Sequence, residues 1–204
     1  MKGKVRIAVL VSGGGTNLQA LIDAEKSGIL KTGTIALVLS NKVGAYALTR
    51  AELAGIPAAL IDKKTFGGQE GMENEIRRQV KENDIDFLIL AGFLSILSES
   101  FARDFDHRII NVHPSLIPSF CGAGYYGLKV HEAALSRGVK VTGATVHFVN
   151  EIPDGGEIIL QKAVAIRPAD TPETLQKRVM RLAEWKLLPA AAELVSQKIL
   201  NKEI

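Results

Sequence analysis

Two rhythms of apolar and polar residues alternate along the chain. Val5–Val11 is apolar almost throughout and runs into a cluster of glycines. From Thr16 to Lys26 the spacing changes, and Leu18, Leu21 and Ile22 recur as on one face of a helix. Residues 34–39 form a second apolar run. Tyr46, Leu48 and Leu53 mark a helix that stops at Gly55, and residues 57–61 a third short strand. Residues 73–82 read as a polar helix with Ile76 and Val80 turned inward, and residues 87–91 as a fourth strand. Short strands without a polar side are expected where both faces of a sheet are covered. Their alternation with helices predicts parallel pairing and right-handed crossovers.

The second half changes character. Residues 108–112 read as a strand, followed by a long loop over 113–127 and a helical pattern near 130–135. Two β-rich runs, 141–149 and 156–166, are joined by the short segment 150–155, which predicts an antiparallel, hairpin-like pair. Thr171, Pro172 and Glu173 open a last long helix with Leu175, Val179, Leu182 and Leu187 on one side. The expected fold is a Rossmann-like doubly wound α/β sheet, mostly parallel, with an antiparallel C-terminal portion and a long C-terminal helix. No repeat or linker interrupts the pattern, so one domain over residues 1–204 is expected.

Composition narrows the class. The 204 residues are 47% hydrophobic and 23% charged, enough apolar chain for one real core. The net charge of +3 suits an enzyme of small anions, and Lys and Arg are too scattered for a nucleic-acid footprint. A single cysteine, Cys121, forbids an internal disulfide and fits a reducing, cytoplasmic home. No apolar stretch is long enough to span a membrane.

Three segments carry candidate chemistry. Ser12-Gly13-Gly14-Gly15-Thr16-Asn17 lies where a strand becomes a helix, a place where free N–H groups and the helix dipole favour an anion. A tight turn capped by Thr16, with no ligand, explains it equally well. It is no dinucleotide fingerprint, because Leu18 stands where the third glycine should be. Asn111-Val112-His113-Pro114 begins at a strand end, where ligands of open α/β sheets bind. Residues 111 and 113 face the same way on extended backbone, and Pro114 turns the chain out of the sheet. An amide and an imidazole so placed can stabilise an oxyanion and carry a proton. A structural histidine bonded to a loop carbonyl is the plain alternative. Asp154-Gly155 joins the two late strands and is ordinary turn chemistry, unless the turn brings the carboxylate to His113.

The remaining features exclude more than they offer. His107, His131 and His147 have no second ligand at metal-binding spacing, so no metal site is expected. There is no Gly-x-Ser-x-Gly elbow, and nothing near Cys121 marks an activating base.

Taken together, residues 8–21, 36–57, 87–97, 110–120, 143–148, 154–161 and 178–189 resemble the folate-dependent phosphoribosylglycinamide formyltransferases. The resemblance covers nearly the whole chain in order. It rests on Ser12-Gly13-x-Gly15-Thr16-Asn17-Leu18, on Asn111-Val112-His113-Pro114-Ser115-Leu116 and on Asp154-x-Gly156. It implies a formyltransferase fold, with a phosphate-binding half over about 1–105 and a catalytic and folate-binding half over about 106–204. It also implies formyl transfer from 10-formyltetrahydrofolate to the amine of glycinamide ribonucleotide, in purine synthesis, by a metal-free monomer or homodimer.

Residue by residue, the resemblance gives Asn111 the formyl oxygen and His113 the oxyanion and the proton. Asp154 would raise the pKa of His113 and help relay the amine proton. Gly15, Thr16 and Asn17 would hold the phosphate, Glu184 the ribose or glycinamide, and Arg181 would add charge toward the phosphate. Leu94, Ser95, Ile96 and Leu97 would line the folate pocket, and His147 would stand behind the site. Some positions depart from the pattern. Ser95 and Gln69 stand where other members carry arginine, the latter toward the folate tail. Trp185 replaces a frequent histidine, and the loop over residues 120–129 is longer than in some members. Formyltetrahydrofolate hydrolases and methionyl-tRNA formyltransferases share the core but carry added domains, and the hydrolase histidine is followed by a second histidine rather than Pro114. A nucleotide-binding module without formyl chemistry is the other alternative.

Overall fold

A computed structural model describes residues 3–204. Seven strands form one sheet in the order β3-β2-β1-β4-β5-β6-β7. They are β1 (Val5–Val11), β2 (Gly33–Ser40), β3 (Ala58–Leu60), β4 (Phe87–Leu90), β5 (Ile109–His113), β6 (Val141–Phe148) and β7 (Ile158–Ala165). The first five pair in parallel; β6 is antiparallel to β5, and β7 to β6. The doubly wound sheet with an antiparallel end is therefore as the periodicity predicts.

The apolar strands separate two cores. Ile7, Val9 and Val11 point to one face, where they meet α1 (Thr16–Lys26), α2 (Tyr46–Leu53) and α7 (Trp185–Asn201). Ala8 and Leu10 point to the other, against α3 (Gln69–Glu82) and α4 (Glu99–Asp104). Burial on both faces leaves no polar alternation to read along β1. The order reverses direction between β1 and β4, and the crevice outside the carboxyl ends of the strands opens there.

Several boundaries differ from expectation. α3 starts four residues early because Gly68, at φ 116, turns the chain before Gln69. α4 was not expected; Ser98 caps it by accepting the Phe101 N–H, a start signal hidden in a polar stretch. β7 begins only at Ile158, since Gly156 is pressed against the Phe148 carbonyl and cannot pair in register. The expected long last helix is three pieces: α6 (Pro172–Val179), a π turn over Met180–Glu184, and α7. α5 (Leu128–Arg137) closes the long loop. Thr16 does not cap α1. Gly15 holds the N-cap position in the left-handed region, and no side chain caps it.

Candidate active site

A cavity of about 410 Å³ opens at the carboxyl edge of β4 and β5. Asn111 and His113 reach it from β5, on the same side of the strand as their spacing requires. Asn111 pairs with His147 of β6, so the antiparallel strand sets that imidazole directly beside the amide. The turn after β6 then folds back over the strand ends. Asp154 adopts the left-handed conformation, φ 57, which a short polar side chain tolerates. A Cβ on Gly156 would lie 1.9 Å from the Phe148 oxygen, so only glycine lets the turn close this tightly. The turn conformation and the approach to His113 are compatible, because the turn is what delivers the carboxylate to the imidazole.

Asp154 joins the two imidazoles. Its Oδ2 lies 3.4 Å from His113 Nδ1 and accepts the Gly122 N–H at 2.8 Å; its Oδ1 lies 3.5 Å from His147 Nε2. The Asn111 amide nitrogen sits 3.3 Å from Asp154 Oδ1 and 3.2 Å from His147 Nε2. His147 is fixed from behind, with Nδ1 2.7 Å from the Phe148 carbonyl. On His113, Nε2 donates to the Phe120 carbonyl at 2.8 Å. That bond sets the tautomer: a neutral His113 carries its hydrogen on Nε2 and presents the Nδ1 lone pair beside Asp154.

Burial decides the charge of His113. Desolvation holds its pKa below the ordinary histidine value of 6.5, although Asp154 and the Phe120 carbonyl pull the other way. The expectation that Asp154 raises this pKa is thus right in sign for that pair but is outweighed by burial, and the resting imidazole is neutral at pH 7. Burial also raises the Asp154 pKa, but bonding to His147, the charge of His113 and the Gly122 N–H more than offset it, leaving the group below the usual carboxylate value. Burial and Asp154 push the Cys121 thiol up, away from nucleophilic use.

Glu184 forms the opposite end. It lies on the π turn, five residues after Val179, so the wider turn keeps both on the inner face. Burial raises its pKa to about 7, against a weaker lowering by Asn17, whose Nδ2 donates to Glu184 Oε2 at 2.8 Å. The buried Asn17 Oδ1 has no donor. An orphaned acceptor on a cavity wall fits a ligand that brings an N–H or O–H.

The other expected residues divide. Leu94, Ser95, Ile96 and Leu97 line the cavity. The segment is braced from outside: Ser12 Oγ accepts the Leu94 N–H at 2.8 Å, Asn41 Nδ2 donates to Ser95 Oγ at 2.8 Å, and Gln69 Nε2 donates to the Ile96 carbonyl at 3.0 Å. Gln69 also bonds Glu73 and does not line the cavity, so it supports this wall rather than facing a ligand. Gly15 and Thr16 stand outside the cavity lining, and Thr16 faces a groove shared with Arg50 and Trp185. Arg181 is exposed and does not reach the cavity. His131, set aside in the sequence for want of a second metal ligand, is fully buried in the cavity wall with neither ring nitrogen bonded. Burial and the nearby His113 lower its pKa to about 4. Only tertiary structure brings α5 there, so no local signal announces it.

Residues 5–192 match the family model described as formyl transferase. The chain is a member of the formyl transferase family. It is 42% identical over 184 residues to phosphoribosylglycinamide formyltransferase of Haemophilus influenzae, covering 90% of this chain and 84% of that protein. Among solved structures, glycinamide ribonucleotide transformylase 1 of Symbiobacterium toebii superposes with a TM-score of 0.88 at 37% identity, covering 95% and 88% of the two chains. The phosphoribosylglycinamide formyltransferase of Bacillus halodurans gives 0.85 at 38%, covering 98% and 97%. The chain is also 46% identical over 193 residues to the trifunctional purine biosynthetic protein adenosine-3 of Gallus gallus, of which it spans 18%. The chain thus spans about a fifth of that longer relative.

Proposed function

We propose that residues 1–204 act as one domain that transfers the formyl group of 10-formyltetrahydrofolate to the amine of N1-(5-phospho-D-ribosyl)glycinamide, in purine (IMP) synthesis. The observation that carries this reading is the convergence of Asn111, His113 and Asp154 at one end of a cavity whose other end holds Asn17 and Glu184. Asn17 Oδ1 and the Glu184 carboxylate accept hydrogen bonds from the ribonucleotide, whose phosphate meets the N–H groups of the glycine loop. Arg181, exposed on the same π turn as Glu184, adds charge toward that phosphate from outside the cavity. The formyl donor lies along Leu94 to Leu97.

The amine nitrogen attacks the formyl carbon, and the carbonyl electrons move to the oxygen. Asn111 turns the N–H it gives Asp154 in the unliganded protein to that oxyanion. His113, neutral at rest with the Nδ1 lone pair beside Asp154, takes the amine proton and becomes an imidazolium that Asp154 stabilises. The same proton passes to the folate nitrogen as the carbon–nitrogen bond breaks. His147, its Nδ1–H given to the Phe148 carbonyl, accepts the other N–H of Asn111 on Nε2 and holds that amide in place. No metal takes part in these steps. Among the described residues no helix is long and apolar enough to cross a membrane, and the reading places the enzyme in the cytoplasm as a monomer or homodimer.

The test is direct. Incubated with both substrates, the protein should release tetrahydrofolate only when the ribonucleotide is present. Equal release without it would identify a hydrolase, and no release under either condition would remove formyl chemistry from this cavity.

A further inference from the structure

The cavity proposed to hold an anionic ribonucleotide has no lysine or arginine in its lining; its formal charges are Glu151, Asp154 and Glu184. On the reading given above, the N–H groups of the glycine loop beside the cavity carry much of the anion binding, and their direction matters more than usual. That direction is set from behind. The Gly13 carbonyl accepts the Ala47 N–H at 3.1 Å, and the Gly14 carbonyl accepts Arg50 Nε at 2.8 Å. In a trans peptide the C=O and the following N–H point opposite ways. Drawing these two carbonyls toward α2 turns the N–H groups of Gly14 and Gly15 away from α2. No acceptor in the described residues takes the N–H of Gly14, Gly15 or Thr16.

Arg50 is itself held. Its NH1 donates to Gln19 Oε1 at 2.9 Å, and its guanidinium lies 5.0 Å from the centre of the Tyr46 ring. The loop sits so close to α2 that a Cβ on Gly15 would lie 2.7 Å from that of Ala47. The buried, donorless Asn17 Oδ1 beside this loop is an independent sign that a ligand belongs there.

We infer that Arg50 is a positioning residue for the phosphate of the ribonucleotide: it fixes the Gly14–Gly15 peptide so that the amide of Gly15 faces the anion, without touching the anion itself. The inference rests on the reading of the glycine loop given above. Arg50 also places a positive charge behind the peptide, which strengthens the N–H as a donor.

The experiment titrates the wild type, Arg50→Gln and Arg50→Lys with inorganic phosphate, following the amide NMR shifts of Gly13, Gly14 and Gly15, and measures both KM values. Arg50→Gln should weaken phosphate and raise the ribonucleotide KM by roughly tenfold to a hundredfold, the range for losing a hydrogen bond to a charged group. Turnover at saturation and the KM for the formyl donor should not move. Arg50→Lys should recover part of the loss, since its ammonium can reach one carbonyl but cannot also bond Gln19 in the same plane. Unchanged phosphate affinity in folded Arg50→Gln overturns the inference, as does an equal rise in both KM values. A wild type that lacks transferase activity yet binds phosphate in an Arg50-dependent way sinks the function and leaves this assignment standing.

Discussion

The two ends of the cavity are built from different materials. At the Asn17–Glu184 end the proposed binding groups are the main-chain amides of the adjoining glycine loop, aimed by α2 from behind, with Asn17 and Glu184 adding side chains from the cavity wall. At the β5 end the proposed catalytic groups are side chains, and the main chain orients them: the Phe120 carbonyl sets the His113 tautomer, the Phe148 carbonyl fixes His147, and the Gly122 N–H holds Asp154. Side-chain deletions should accordingly be severe at one end and mild at the other. The largest predicted effect lies at the β5 end. His113→Ala and Asp154→Asn should each lower kcat by about 10²–10⁴-fold, the usual range for lost acid–base catalysis, with little change in either KM. Near-normal kcat in both variants would remove the catalytic assignment and with it the contrast between the two ends.

Glu184 sharpens the comparison because it is a side chain at the amide end. Its pKa rises from 4.5 to about 7 on folding. The folded state therefore binds this proton more tightly than the unfolded chain, and the unliganded protein loses stability as pH climbs from about 4.5 to about 7. The full loss is on the order of 3 kcal/mol. Glu184→Gln mimics the protonated acid, so it should gain on the wild type between pH 5 and pH 8 in chemical denaturation. Parallel stability curves for the two proteins would mean that the carboxylate is not desolvated.

A smaller effect separates two neighbours on the loop. Asn17 lines the cavity with an unsatisfied oxygen, whereas Thr16 lines the outer groove, and the proposal gives it only a main-chain N–H role. Asn17→Ala should raise the ribonucleotide KM roughly tenfold, and Thr16→Ala much less, with the folate KM unmoved in both. A larger effect at Thr16 would show that its hydroxyl, not its amide, meets the phosphate.

The sequence revealed the sheet because its strands are apolar on both faces, and it revealed Asn111 and His113 because a strand repeats every two residues. From spacing alone Asp154 was visible only as a turn residue, and its role came from the resemblance. What lifts it to the site is the Gly156–Phe148 contact, a matter of space between segments that no local pattern records. Glu184 was placed by resemblance, yet its burial depends on a π turn that helical periodicity predicts away. His131 and Arg50 escaped notice for the same reason: each acts across the fold, on a wall or a loop far from it in the chain.

The finest test concerns the charge of His113, where two large effects oppose. Burial lowers the pKa and Asp154 raises it, and burial wins. Followed by imidazole NMR, the wild-type midpoint should fall below 6.5. Asp154→Asn removes the one carboxylate that favours the imidazolium and leaves the burial, so the midpoint should fall further. The acid limb of kcat/KM, which reports the free enzyme, should track the wild-type midpoint, since the proton-accepting Nδ1 is lost when His113 is protonated. A midpoint that rises in Asp154→Asn would mean that the variant has let water reach the ring, and that the hydrogen bond to Gly122, more than the charge, is what Asp154 supplies.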